Sequence, residues 1–179
     1  MLTHHRKPVS LSFMSLDMPL WSVVETSATL YQKDAERFHL LLTEPVVLDP
    51  SGLPGFEEET QQPTGVPSPS SSTSALDLRP QSSPRLLWLE LSPYRVIMTM
   101  QGNGRYSYRH FWEQGIYGLS RYWLQSDQLG ENNQVRLRNY TRSLKLVSAP
   151  LPQTLRVEYE LWSDKVQLGH YVLNLEIHH

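Results

Sequence analysis

Seven arginines lie between residues 105 and 156: Arg105, Arg109, Arg121, Arg136, Arg138, Arg142 and Arg156. A guanidinium offers five donors in a planar fork that matches a carboxylate or a phosphate. Arg136 and Arg138 are two residues apart, which puts them on one face of a strand. Aromatic residues are interleaved with the series: Tyr106, Tyr108, Trp112, Tyr117, Tyr122, Trp123 and Tyr140. Arginine, tyrosine and tryptophan are the types enriched at protein-interface hot spots. Single-stranded nucleic acid grooves use the same mixture. Two observations weigh against nucleic acid. Alternation along 105–112 sets Tyr106, Tyr108, His110 and Trp112 opposite Arg105 and Arg109, and the sequence pI is near 6.4. The expectation is therefore a protein partner, met by Arg105, Arg109, Arg121, Arg136, Arg138, Trp112 and Trp123.

Other chemistries find less support. The chain has no cysteine, which removes thiol nucleophiles, disulfides and Cys-ligated metals. Seven histidines are present, but none has ligand spacing such as HExxH, so no metal site is expected. His110 and His170 are isolated in sequence. Glu158 and Glu160 alternate with Arg156 and read as a solvated strand face. There is no G-x-S-x-G, P-loop or dinucleotide fingerprint. No catalytic residue or cofactor is assigned, and the leading expectation is a non-enzymatic binding or assembly protein. The alternative is a carrier of lipocalin-like barrel architecture. Its inward Trp and Tyr, with one or two Arg, would hold a small hydrophobic ligand that is carboxylated or chromophore-like.

Charge is unevenly placed. Residues 1–84 hold five Lys and Arg against ten Asp and Glu, while 85–160 hold ten against six, nine of the ten being Arg. Residues 51–84 contain eight Ser and six Pro with few large apolar residues. Such a composition buries too little apolar surface to offset the entropy of ordering it, so it reads as a disordered insertion able to tune the Arg face. No run of about 18 apolar residues exists, so no membrane span is expected. A cytoplasmic setting is expected from the lack of cysteine. The opening residues carry no continuous apolar stretch. Residues 1–18 read as a disordered leader, with Met14 and Met18 as alternative starts, and 19–179 as one β-rich domain.

Local patterns position these residues on strands. Residues 20–32 and 37–48 are β-branched and loosely alternating, although Asp34–Leu42 is also good helix sequence. After the insertion, 85–91 and 94–101 are joined by Ser92-Pro93. Gln101-Gly102-Asn103-Gly104 is a hairpin signal before 105–112. Residues 116–125 favour strand over helix because of Gly115 and Gly118. In 135–147 the apolar residues change parity, from Val135 and Leu137 to Leu144 and Leu146. A bulge or turn must therefore fall between about Asn139 and Ser143. Residues 154–162 and 166–177 alternate cleanly and are joined by Ser163-Asp164-Lys165. The pattern predicts an all-β fold, with at most one or two short helices. It is an antiparallel barrel or sandwich of about eight to nine strands, the barrel being favoured.

Overall fold

The computed structural model describes residues 4–44, 85–102, 106–124 and 134–179; the insertion at 51–84 and Arg105 lie outside them. The described residues form ten strands: β1 (His4–Ser15), β2 (Trp21–Gln32), β3 (Phe38–Glu44), β4 (Arg85–Leu91), β5 (Arg95–Gln101), β6 (Tyr106–Glu113), β7 (Tyr117–Leu124), β8 (Gln134–Ser148), β9 (Pro152–Ser163) and β10 (Val166–Ile177). Each pairs antiparallel with its neighbours in sequence, and β1 pairs with β10 to close a barrel. The class is the expected one, with ten strands in place of eight or nine. No helix among the described residues is long and apolar enough to cross a membrane.

The first correction concerns the leader. His4–Ser15 is β1, hydrogen-bonded to β2 along one edge and to β10 along the other. Val9, Leu11 and Phe13 alternate with Ser10 and Ser12. Val9 is buried, and Leu11 and Phe13 pack against the core. The period-2 signal was present but short, and the basic residues before it masked it. Over Asp34–Leu42 the expected strand prevails over the competing helix, and residues 45–48 of the expected strand lie outside the described residues. The Asp34 carboxylate accepts from the amides of Glu36 (3.1 Å) and Arg37 (2.9 Å), which folds a turn, and Phe38 begins β3.

The parity change in β8 is resolved as expected. Register with β9 slips between Thr141 and Ser143, making Arg142 the extra residue. A bulge unpairs backbone groups. Here the β6–β7 turn satisfies them, because Gln114 Oε1 accepts from the Leu144 amide (2.5 Å) and Gln114 Nε2 donates to the Arg142 carbonyl (3.1 Å). At the start of β7, Gly118 lies where strands approach closely. A Cβ there would stand 2.1 Å from the Phe111 carbonyl oxygen, so only glycine fits.

The inward side chains divide the barrel into two halves. At the end holding the β2–β3, β4–β5 and β8–β9 turns, Leu30, Leu40, Leu89, Leu91, Val96 and Leu155 are at most 2% exposed and fill the interior. Toward the other end, where β1 passes into β2, the inward set becomes aromatic and polar.

Candidate functional site

The outward grid of β6, β7 and β8 follows from register. Arg109 pairs with Arg121, and Arg121 pairs with Arg136. Adjacent strands lie about 4.8 Å apart, so the three cations form a row across the sheet. The next outward row brings Leu119 opposite Arg138, and Arg138 opposite Trp162. A surface cavity of about 490 Å³ runs between Arg109, Arg121 and Arg138, with Phe111, Tyr117 and Leu119 on its walls. Tyr117 and Leu119 are exposed, as is Trp123 beside them.

The arginines differ in how they are neutralised. Arg142 donates to the buried Glu160, whose other oxygen accepts from Trp162 Nε1 at 3.0 Å. Arg138 donates to the Asp164 carbonyl at 2.5 Å and lies 5.2 Å from the Tyr117 ring centroid. Arg136 donates to Gln134 Oε1 at 2.6 Å. Among the described residues, Arg109 and Arg121 have no ion pair and no hydrogen-bond partner. Like charges directly opposite one another destabilise a sheet, so this row is tolerated by the fold rather than required by it.

Of the residues expected to meet a partner, Arg109, Arg121, Arg136, Arg138 and Trp123 share this outward region. Trp112 does not. It is fully buried inside the barrel, with its ring under His110 at 4.9 Å and 6° between planes. Glu160 also departs from its solvated reading: it is 5% exposed, covered through its bonds to Arg142 and Trp162. His170 pairs with Glu158 (3.0 Å) on the outer face rather than with His110.

A second site lies inside the barrel, at the end where β1 passes into β2. A cavity of about 350 Å³ is lined by Tyr108, His110, Tyr122, Tyr159 and Tyr171, with apolar walls from Phe13, Met98, Leu161 and Leu173. The rings form a connected cluster: centroids lie 5.1 Å apart for Tyr108 and His110, 5.4 Å for His110 and Tyr122, and 5.6 Å for Tyr159 and Tyr171. His110 is fixed from behind. Its Nδ1 is 2.7 Å from Ser120 Oγ, and that oxygen accepts from Asn139 Nδ2 at 2.8 Å. Burial pulls the His110 pKa down to about 3, and burial also raises those of Tyr159 and Tyr171. All three groups are uncharged at neutral pH.

Ser120 and His110 are close enough for a nucleophile–base pair, but Ser120 is fully buried in the barrel wall. A substrate carbon has no approach to its Oγ, and an imidazole with so low a pKa is a weak base. The carrier alternative placed an inward Arg beside the ligand. Among the described residues no arginine lines this cavity, and Arg105 lies outside them. Among the described residues no cluster of His, Asp or Glu is arranged to hold a metal.

No family model and no curated protein matches the chain. Its barrel is similar to a solved structure, the ywiB protein from Bacillus subtilis. The TM-score is 0.52 at 12% sequence identity, over 97% of this chain and 94% of that one. At that identity the likeness is one of fold alone.

Sequence reasoning missed Ser120, Asn139 and Tyr159 as members of one site. In β7 the apolar residues Tyr117, Leu119 and Trp123 point outward, while Gly118, Ser120 and Tyr122 point inward. Hydropathy therefore signals the wrong inner face. The only local clue was the parity that Ser120 and Tyr122 share with Gly118.

Proposed function

We propose that the outer face of β6, β7 and β8 is a docking surface for an acidic segment of a protein partner. The observation that carries this reading is the Arg109–Arg121–Arg136 row, in which none of the three cations has a counter-charge among the described residues. A carboxylate-bearing segment laid across the row would meet three forks in succession. Exposed Leu119, Tyr117 and Trp123 give the same surface an apolar component, the combination found at interface hot spots. Leu119 cannot stack on a base, and the net charge of the whole chain is −2. Both favour protein over nucleic acid. The cysteine-free composition accords with a cytoplasmic setting for this contact.

Titration of the full chain with a fluorescein-labelled oligoglutamate peptide, followed by anisotropy, tests the reading. Saturable binding that weakens steeply with salt is expected, and it falls at least tenfold in the Arg109→Gln, Arg121→Gln, Arg136→Gln triple variant. An oligothymidylate of equal charge is the control. Equal binding of the peptide to the triple variant, or binding of the oligonucleotide alone, refutes the reading.

A further inference from the structure

We propose that the aromatic end of the barrel is a binding site for a small, flat, uncharged molecule that carries a hydrogen-bonding group, of the size of a two-ring phenol. This site is separate from the arginine row. It lies inside the wall whose outer surface carries that row, since His110 and Tyr122 alternate with Arg109 and Arg121 on the same strands.

Four features define the ligand. The first is size. A cavity of about 350 Å³ is at the lower end of ligand pockets, which run from about 300 to 1,000 Å³. That space takes a bicyclic ring system and excludes dinucleotides and long acyl chains. The second is charge. Among the described residues no Asp, Glu, Lys or Arg lines the cavity, and His110 and Tyr159 are held neutral by burial. An ionised ligand would lose its hydration without gaining a counter-ion.

The third is shape. Tyr108, His110, Tyr122, Tyr159 and Tyr171 contribute rings whose neighbouring centroids are 5.1 to 6.3 Å apart. Walls of this kind favour a planar guest by edge and face contacts. The fourth is preorganisation. His110 is stacked flat on Trp112 and bonded through Ser120 to Asn139, so its ring does not need to be ordered by the guest. The Ser120 hydroxyl can donate to Nδ1 while it accepts from Asn139, which leaves the ring N–H on Nε2 as a donor.

The packing of the rest of the interior adds weight. In the opposite half of the barrel, Leu30, Leu40, Leu89 and Val96 have no exposed surface. The cavity lies at the end that is rich in tyrosine. Beside it, Leu20 is 47% exposed and lines the cavity, giving its edge an apolar surface.

The probe is 2-naphthol, an uncharged fused ring with one hydroxyl, and the comparison is 2-naphthoate, the same ring bearing a carboxylate. Calorimetric titration of the full chain is expected to give one saturable site for 2-naphthol, with 2-naphthoate at least tenfold weaker. Val24→Trp, which fills the cavity from β2, is expected to abolish binding. Tyr159→Phe, which keeps the ring and loses the hydroxyl, is expected to weaken it severalfold while circular dichroism stays unchanged. If Val24→Trp does not fold, Leu20→Trp at the edge takes its place. Absence of 2-naphthol binding, equal affinity for 2-naphthoate, or unaltered binding to the filled variant would each overturn the proposal. None of these results bears on the oligoglutamate titration, so the two sites stand or fall separately.

Discussion

Arg109 and Arg121 face each other directly across β6 and β7, with like charges in register and no carboxylate paired with either among the described residues. Opposed like charges on a sheet cost a few tenths of a kcal/mol to about 1 kcal/mol. Arg121→Thr, which removes the middle cation and suits a strand, is expected to raise the urea midpoint by that amount at low salt. The gain should shrink as ionic strength rises and screens the row. Oligoglutamate binding should fall in the same variant. A variant less stable than wild type at low salt would show that Arg121 makes a structural contribution.

The pH dependence of stability has a defined sign at His110. Its pKa is about 3 in the folded chain against an ordinary value of 6.5. The unfolded chain therefore binds one more proton at this residue between those limits. Stability is full above about pH 6.5 and is lost as pH falls toward 3, at about 1.4 kcal/mol per pH unit over the window. From pH 7 to pH 5 the loss attributable to His110 is about 2 kcal/mol. Urea unfolding of wild type and His110→Gln at both pH values measures it. The variant should lose less stability than wild type on acidification; parallel losses would refute the assignment.

Gln114 holds the β8 bulge by bonding both the Leu144 amide and the Arg142 carbonyl. Gln114→Ala removes both bonds from a partly buried backbone, and a loss of about 1–3 kcal/mol is expected. Hydrogen exchange at the Leu144 amide should accelerate more than at Leu155 in the core of β9. Unchanged protection at Leu144 would mean that the bulge is held by other groups.

β1 closes the barrel, so a chain beginning at Met18 leaves the facing edges of β2 and β10 unpaired. Unpaired edges promote association between chains. Such a chain is expected to aggregate or to lose its β-sheet circular dichroism. A soluble, folded, monomeric product on size exclusion would contradict the role given to His4–Ser15.

Much of the fold was legible in the sequence, for reasons that can be traced residue by residue. The alternation of Leu155, Val157, Tyr159 and Leu161, and of Tyr171, Leu173, Leu175 and Ile177, specified two strands and their inner faces; all eight are buried. The parity break between Leu137 and Leu144 required an extra residue, and Arg142 is that residue. Both inferences rest on the strict period of two along a strand, a purely local property. β1 was lost because three apolar residues form too short a pattern to stand out.

The sites divide along the same line. That Arg136 and Arg138 share a face follows from spacing alone. That Arg109, Arg121 and Arg136 stand in one row depends on the register of three strands, which is set by turns and bulges far from any of them. Likewise, the residue types of β7 are written in the chain, but which face is inner was decided by closure of the barrel. Closure gives the polar Ser120 two partners, His110 and Asn139, and so allows it to be buried. Period decides which residues travel together along a strand. Only pairing between strands decides what they meet, because burial and neutralisation are properties of neighbours distant in the chain.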